Sequence, residues 1–80
     1  MPLYYFDYFE NGQEKSHDTN GDHLLDHNAA RIEASRAMAD YARDVIANDG
    51  PELTMDIRVR DEHHRPILKV SLHFEARPYT

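Results

Sequence analysis

Cysteine is missing from these 80 residues, which excludes disulfide staples, thiolate nucleophiles and thiolate metal sites together. The loss matters because a chain this short buries only about 60 to 65% of the surface its unfolded form exposes. Dimerisation is the obvious substitute for such a staple. Long apolar runs are missing too. No stretch approaches the roughly 20 apolar residues of a membrane span, and Met1-Pro2-Leu3-Tyr4 lacks the basic and then apolar regions of a signal peptide. The expected location is the cytoplasm. Positive charge is scarce: nine Lys and Arg stand against fifteen Asp and Glu, a formal charge of -6. That balance argues against a general phosphate-binding surface, which needs clustered Lys and Arg. Nucleophile elbows, phosphate loops and carboxylate pairs at a recognisable spacing are absent as well, so no enzyme is expected. Histidine is plentiful instead. Six of them, fully protonated, would cancel the formal charge, so solubility is expected to fall in mildly acidic buffer.

The stretch from Asp26 to Asn48 carries the clearest pattern. Ala30, Ala34, Ala37, Met38, Tyr41 and Val45 recur at helical spacing and define a side that must be buried. Asp26 suits the N-cap, where a carboxylate accepts from free backbone N–H groups. Asn48-Asp49-Gly50-Pro51 supplies the stop, a Gly able to turn left-handed followed by a Pro that cannot continue the helix. On the outer side, Ile32, Ala39 and Ile46 recur every seven residues. Two readings fit them: scattered surface aliphatics, which are ordinary, or a self-association seam.

Before the helix, Leu3 to Phe9 is dense in strand-favouring residues, with Tyr4, Phe6 and Tyr8 facing the helix and Tyr5, Asp7 and Phe9 facing away. Asn11-Gly12 marks a tight hairpin, so Glu14 to His17 returns as a short edge strand. Asp18-Thr19-Asn20-Gly21-Asp22 looks at first like a calcium loop, but counting from Asp18 puts His23 sixth and Ala29 twelfth where an EF-hand needs Gly and Glu. An Asx-type turn fits better. Asp22, His23 and His27 form the most site-like cluster: with an early first turn, His23 and His27 would share a face and grip zinc, Asp22 or Asp26 adding a third ligand. Set against this, an Asp26 cap leaves His23 outside the helix.

After the helix, Leu53, Met55, Ile57 and Val59 alternate with polar residues, and Leu68, Val70, Leu72 and Phe74 do the same. The two strands pair most simply as an antiparallel hairpin through Asp61 to Pro66. The whole chain, 1–80, then reads as one α+β domain, with 76–80 a frayed tail. It is a two-layer sandwich in β-β-α-β-β order, its three- to four-stranded, largely antiparallel sheet carrying one long helix on one face. The expected core is Tyr4, Phe6, Tyr8, Met38, Tyr41, Val45, Ile57, Val59, Val70, Leu72 and Phe74. The other face would show Tyr5, Arg58, Arg60, Lys69 and His73, either a solvated surface of charge pairs or a basic and aromatic platform for a protein or single-stranded nucleic acid.

Pro2-Leu3-Tyr4-Tyr5-Phe6-Asp7, the Asp-rich loop ending in Leu25-Asp26, Ala29-Ala30-Arg31-Ile32-Glu33-Ala34, and Val59-Arg60-Asp61-Glu62 before Arg65-Pro66-Ile67-Leu68 span nearly the whole chain. In that order they resemble a family of short alphaproteobacterial proteins known only as a domain of unknown function. The resemblance implies a compact intracellular domain and supplies no catalytic or binding residues. Where family members often have Gly in the last turn, this chain has His63-His64. If His64 needs a positive φ it is strained, and His64→Gly should stabilise the fold. The function that fits best is a small protein-interaction or regulatory module, acting as a homodimer or as an adaptor to another protein. A histidine and aspartate metal-binding protein is the alternative, and a weak nucleic-acid binder the third.

Overall fold

The computed structural model describes residues 1–79. Six elements follow in order: β1 Leu3–Glu10, β2 Gln13–Ser16, β3 Asp22–His23, α1 His27–Val45, β4 Glu52–Arg60 and β5 Pro66–Glu75. The strands form one antiparallel sheet in the order β2-β1-β4-β5, with β3 pairing to β1. The expected two-layer α+β architecture is therefore present, with one strand more than the alternation suggested. Two residues are too few for any periodicity, which is why β3 left no pattern in the sequence.

Each turn follows from its residues. Asn11 and Gly12 both have positive φ, 50° and 80°, the conformation a two-residue hairpin requires for its twist to match the strands. The Asn11 N–H also donates to the Thr54 carbonyl at 2.7 Å, and the Asn11 side chain accepts from the Thr54 N–H at 3.0 Å. The hairpin is thereby tied to the start of β4. Asp26 is the N-cap: its backbone is extended and its carboxylate accepts from the Ala29 N–H at 2.8 Å. At the other end the Asn48 and Asp49 N–H groups both donate to the Val45 carbonyl, and Gly50 takes φ +90°.

The helix is rotated from the expected phase. Its buried residues are Ala30, Ala34, Met38 and Ala42, a row spaced by four that forms one of the inclined ridges by which helices pack. Small Ala side chains let the helix lie close to β4 and β5. Tyr41, expected in the core, is 41% exposed and stacks instead on Tyr8, ring centroids 4.3 Å apart. The same ridge continues one step to Ile46, which is half-buried against the core rather than on an outer stripe. The core is completed by Tyr4, Tyr8, Leu53, Met55, Ile57 and Val59, with Phe6, Val45, Val70 and Leu72 packed at its margin. Phe74 is half-exposed beyond it. Ala76 to Tyr79 has no regular structure, although the Ala76 N–H donates to the Pro51 carbonyl. Thr80 lies outside the described residues.

Candidate functional site

On the sheet face away from the helix, Arg60 is the centre of a knot. Its guanidinium grips Asp7 with both arms, Nε to Oδ2 at 2.7 Å and Nη2 to Oδ1 at 3.0 Å. Nη2 also donates to the Asp18 carbonyl at 2.9 Å, and Nη1 donates to His64 Nδ1 at 2.7 Å. Asp7 was expected to face solvent, yet it is only 5% exposed. The loop after β2 covers it, because the Asp18 N–H donates to Asp7 Oδ1 at 3.0 Å. Burial pushes the Asp7 carboxyl up, but the Arg60 hydrogen bonds, the Asp18 N–H and the nearby charges hold it below the usual carboxylate range. Asp18 behaves alike: burial raises it, and the N–H groups of Gly21, Phe6 and Asn20 together bring it below the ordinary value. Two of those bonds make the Asx turn that the loop composition predicts. The third, from the Phe6 N–H, anchors the loop to the outer edge of β1.

The predicted basic and aromatic platform is thus engaged within the molecule. Tyr5 is stacked by the His64 ring at 4.9 Å and carries Arg60 at 4.8 Å from its centroid. Arg58 lies over the Phe9 ring at 3.8 Å and reaches Asp56 at 3.5 Å. Asp56, itself buried, accepts from the Ser71 hydroxyl at 2.6 Å. His73 shares a hydrogen bond with the Thr54 hydroxyl at 3.0 Å. Lys69 stands apart from these bonds, directly opposite the like charge of Arg58.

The predicted metal ligands are not brought together. His23 Nδ1 lies 3.0 Å from the Met1 carbonyl, and the His27 ring meets Tyr4 edge-on at 5.7 Å. Among the described residues, two other groups place potential ligand atoms close to one another: Asp7, Glu14 and His17, and Glu52, His73 and Glu75. Both hold a competing cation. Arg60 occupies Asp7, and Arg77 lies 3.6 Å from Glu52 and 3.0 Å from Glu75. Of the predicted helix seam, Ile32 and Ala39 are exposed, while Ile46 turns to the core. A cleft of about 350 Å³ opens between Phe6, residues 16–20 and the helix residues Glu33, Ala37 and Tyr41. One of its carboxylates, Asp18, already accepts from three backbone N–H groups.

The remaining surface is the edge of the sheet formed by β5. This strand runs for ten residues and, among the described residues, pairs on one side only, with β4. Leu68, Val70, Leu72 and Phe74 alternate along it, each half-buried under the helix side, while Lys69, Ser71, His73 and Glu75 are exposed on the other face. The alternation was legible in the sequence. Its position at the edge was not, because strand order follows from pairing between distant segments.

No curated protein and no solved structure matches the chain. Residues 3–73 do match the profile of a family described as a domain of unknown function, so nearly all of the fold set out above, from β1 into β5, is the family's own unit, and the chain belongs to the DUF6894 family.

Proposed function

We propose that this protein is a cytoplasmic protein-interaction module that takes its partner at the free edge of β5 by strand addition. The observation that supports it is the unpaired side of this ten-residue strand, whose apolar residues are only half covered. A strand edge presents a row of backbone donors and acceptors, and an added strand satisfies them while alternate side chains set specificity. Proteins commonly blunt such edges with bulges, charges or short strands. Of these, β5 has Pro66 and a register shift at its start and the charges of Lys69 and Glu75, and its remaining length is regular.

The reading involves no catalysis and no cofactor. Weighing against nucleic acid, Arg58 and Arg60 are occupied by Asp56 and Asp7. Cross-linking in the native cell followed by mass spectrometry tests the proposal. Cross-links from partner proteins should gather at Lys69, and Phe74→Lys, which places a charge on the apolar rim outside the core, should remove them. Partners retained undiminished by that variant would overturn it.

A further inference from the structure

Resting on the strand-addition reading, we propose that the occupant of the β5 edge is the β5 strand of a second copy, antiparallel and centred on Leu72. In an antiparallel pair, residues directly opposite point to the same face, so a self-pairing must keep Leu68, Val70, Leu72 and Phe74 on the helix side of both copies. That condition admits only registers centred on a residue, and the charges choose between them. Centring on Lys69 sets that lysine against itself. Centring on Val70 or Ser71 puts it opposite Ser71 or His73, and centring on His73 puts it opposite Arg77. With Leu72 at the centre, Lys69 meets Glu75 of the second copy, Val70 meets Phe74, and Ser71 meets His73.

The neighbouring strand strengthens this choice. Within one copy two cross-strand pairs, one at an end of the β4–β5 ladder and one near the other, are alike in charge: Glu52 faces Glu75, and Arg58 faces Lys69. Like charges directly opposite one another destabilise a sheet. In the Leu72 register the row across the joined sheet runs Arg58, Lys69, then Glu75 and Glu52 of the second copy, and the symmetry repeats it in reverse. Each like-charged pair gains an opposite pair beside it. Arg77, which already lies against Glu52 and Glu75, leaves Lys69 as the group with most to gain. The overall charge of -6 on each copy opposes their approach, so the local pairs decide whether association occurs. The joined sheet also covers the half-exposed Phe74 and gives this cysteine-free chain the stabilisation a small domain lacks.

Sedimentation of the purified full chain from low micromolar to millimolar concentration tests the inference. A monomer–dimer equilibrium is expected. Lys69→Glu should weaken dimerisation about tenfold, since two symmetry-related pairs turn from attraction to repulsion. The double variant Lys69→Glu with Glu75→Lys restores the opposite charges and should recover the affinity. Phe74→Lys should leave only monomer, and a urea titration of each variant checks that the fold persists. A wild type that stays monomeric throughout, or a double variant no tighter than Lys69→Glu alone, overturns the inference. If the wild type is monomeric while cross-links to another protein still gather at β5 and vanish in Phe74→Lys, the second copy is wrong but strand addition stands. Should Phe74→Lys change neither measurement, both fail.

Discussion

On one side of the sheet, β1 is bordered by four exposed residues of β2 and two of β3, and its register with β2 is broken by a bulge at Tyr8 and Phe9. On the other, β5 runs ten residues with alternating apolar side chains and, among the described residues, no strand beyond it. The first border combines short length, polarity, a bulge and a covering loop, all of which discourage a foreign strand. The second has Pro66, Lys69 and a register shift at its start, and then runs on without interruption. Two edges of one small sheet treated so differently suggest that the open one is kept open for an occupant. The contrast also separates two kinds of residue, those that close the β1 side and those that line the β5 side, and substitutions should divide accordingly between stability and association.

The largest loss of stability is expected at the knot that closes the β1 side. Removing one member of a buried, hydrogen-bonded ion pair leaves the other uncompensated and costs about 3 to 5 kcal/mol. The Arg60 side chain is 15% exposed, which places Arg60→Ala at about 3 kcal/mol, read as a lowered urea midpoint. The same knot sets an acid limit. Asp7 and Asp18 both have carboxyls held below their ordinary values, whereas in the unfolded chain an Asp titrates at about 3.9. As the pH falls through about 4 the unfolded state takes up protons first. The stability these two groups contribute is therefore complete above that value and is lost as the pH drops toward their folded values. The midpoint should decline below about pH 4, and less steeply in Arg60→Ala, because Asp7 has then lost its main partner. An equal slope in both proteins would show that the knot does not set the limit.

Gly21 tests the same border through backbone alone. It has φ +71°, and a Cβ built there would stand 2.8 Å from the Tyr4 carbonyl oxygen, a backbone atom that cannot swing aside. Gly21→Ala should cost about 2 kcal/mol, from the left-handed conformation together with the displacement of β3 from β1. Gly12 is the control, with φ +80° and open space around it, so Gly12→Ala should cost about 1 kcal/mol from conformation only. Faster amide exchange at Leu24, whose N–H donates to the Pro2 carbonyl, should accompany the first and not the second. Equal effects of the two substitutions would remove β3 from the account of how that side is closed.

Much of this was legible in the residues themselves. The helix, its Asp26 cap, the Asn11-Gly12 turn, the Asx turn at Asp18 and the β4–β5 hairpin all rest on local chemistry or on a short period, and all are present. The helical phase was not legible, because the buried row Ala30, Ala34, Met38 and Ala42 drifts about 40° around the helix at each step, so that Ala42 stands about 100° from Tyr41, and only the sheet decides which side the row follows. Asp7 and Arg60 could not be read as partners, since 53 residues separate them and an alternating Asp on a strand looks the same whether it meets water or an arginine. The Asp22, His23 and His27 spacing suggested a site by sequence proximity, yet β3 formation turns Asp22 and His23 onto the β1 edge. Strand order, which makes β5 an edge, is a property of the whole fold.

The smallest stability effect is expected where the two sides meet. His64 lies in the turn that launches β5, and its side chain reaches back to Tyr5 and Arg60 of the closed side. Its φ is +63°, so the expected strain is present and a Gly would relieve about 1 kcal/mol of it. The ring opposes that gain. A stacked aromatic pair contributes about 0.5 to 1.5 kcal/mol, and a hydrogen bond to a charged group about 1.5 to 3 kcal/mol, with the lower ends applying because His64 is exposed. The losses exceed the relief, so the sign expected from the sequence reverses: His64→Gly should lower stability by about 1 kcal/mol. His64→Asn separates the two effects, since Asn tolerates the left-handed conformation better than most residues but brings no ring. It should fall no lower than His64→Gly if backbone strain is minor, and in an Arg60→Ala background His64→Gly should turn neutral or stabilising, because the hydrogen bond that tipped the balance is already gone. A urea midpoint that rises for His64→Gly in the wild-type background would mean that the turn carries β5 without any tether to the closed side.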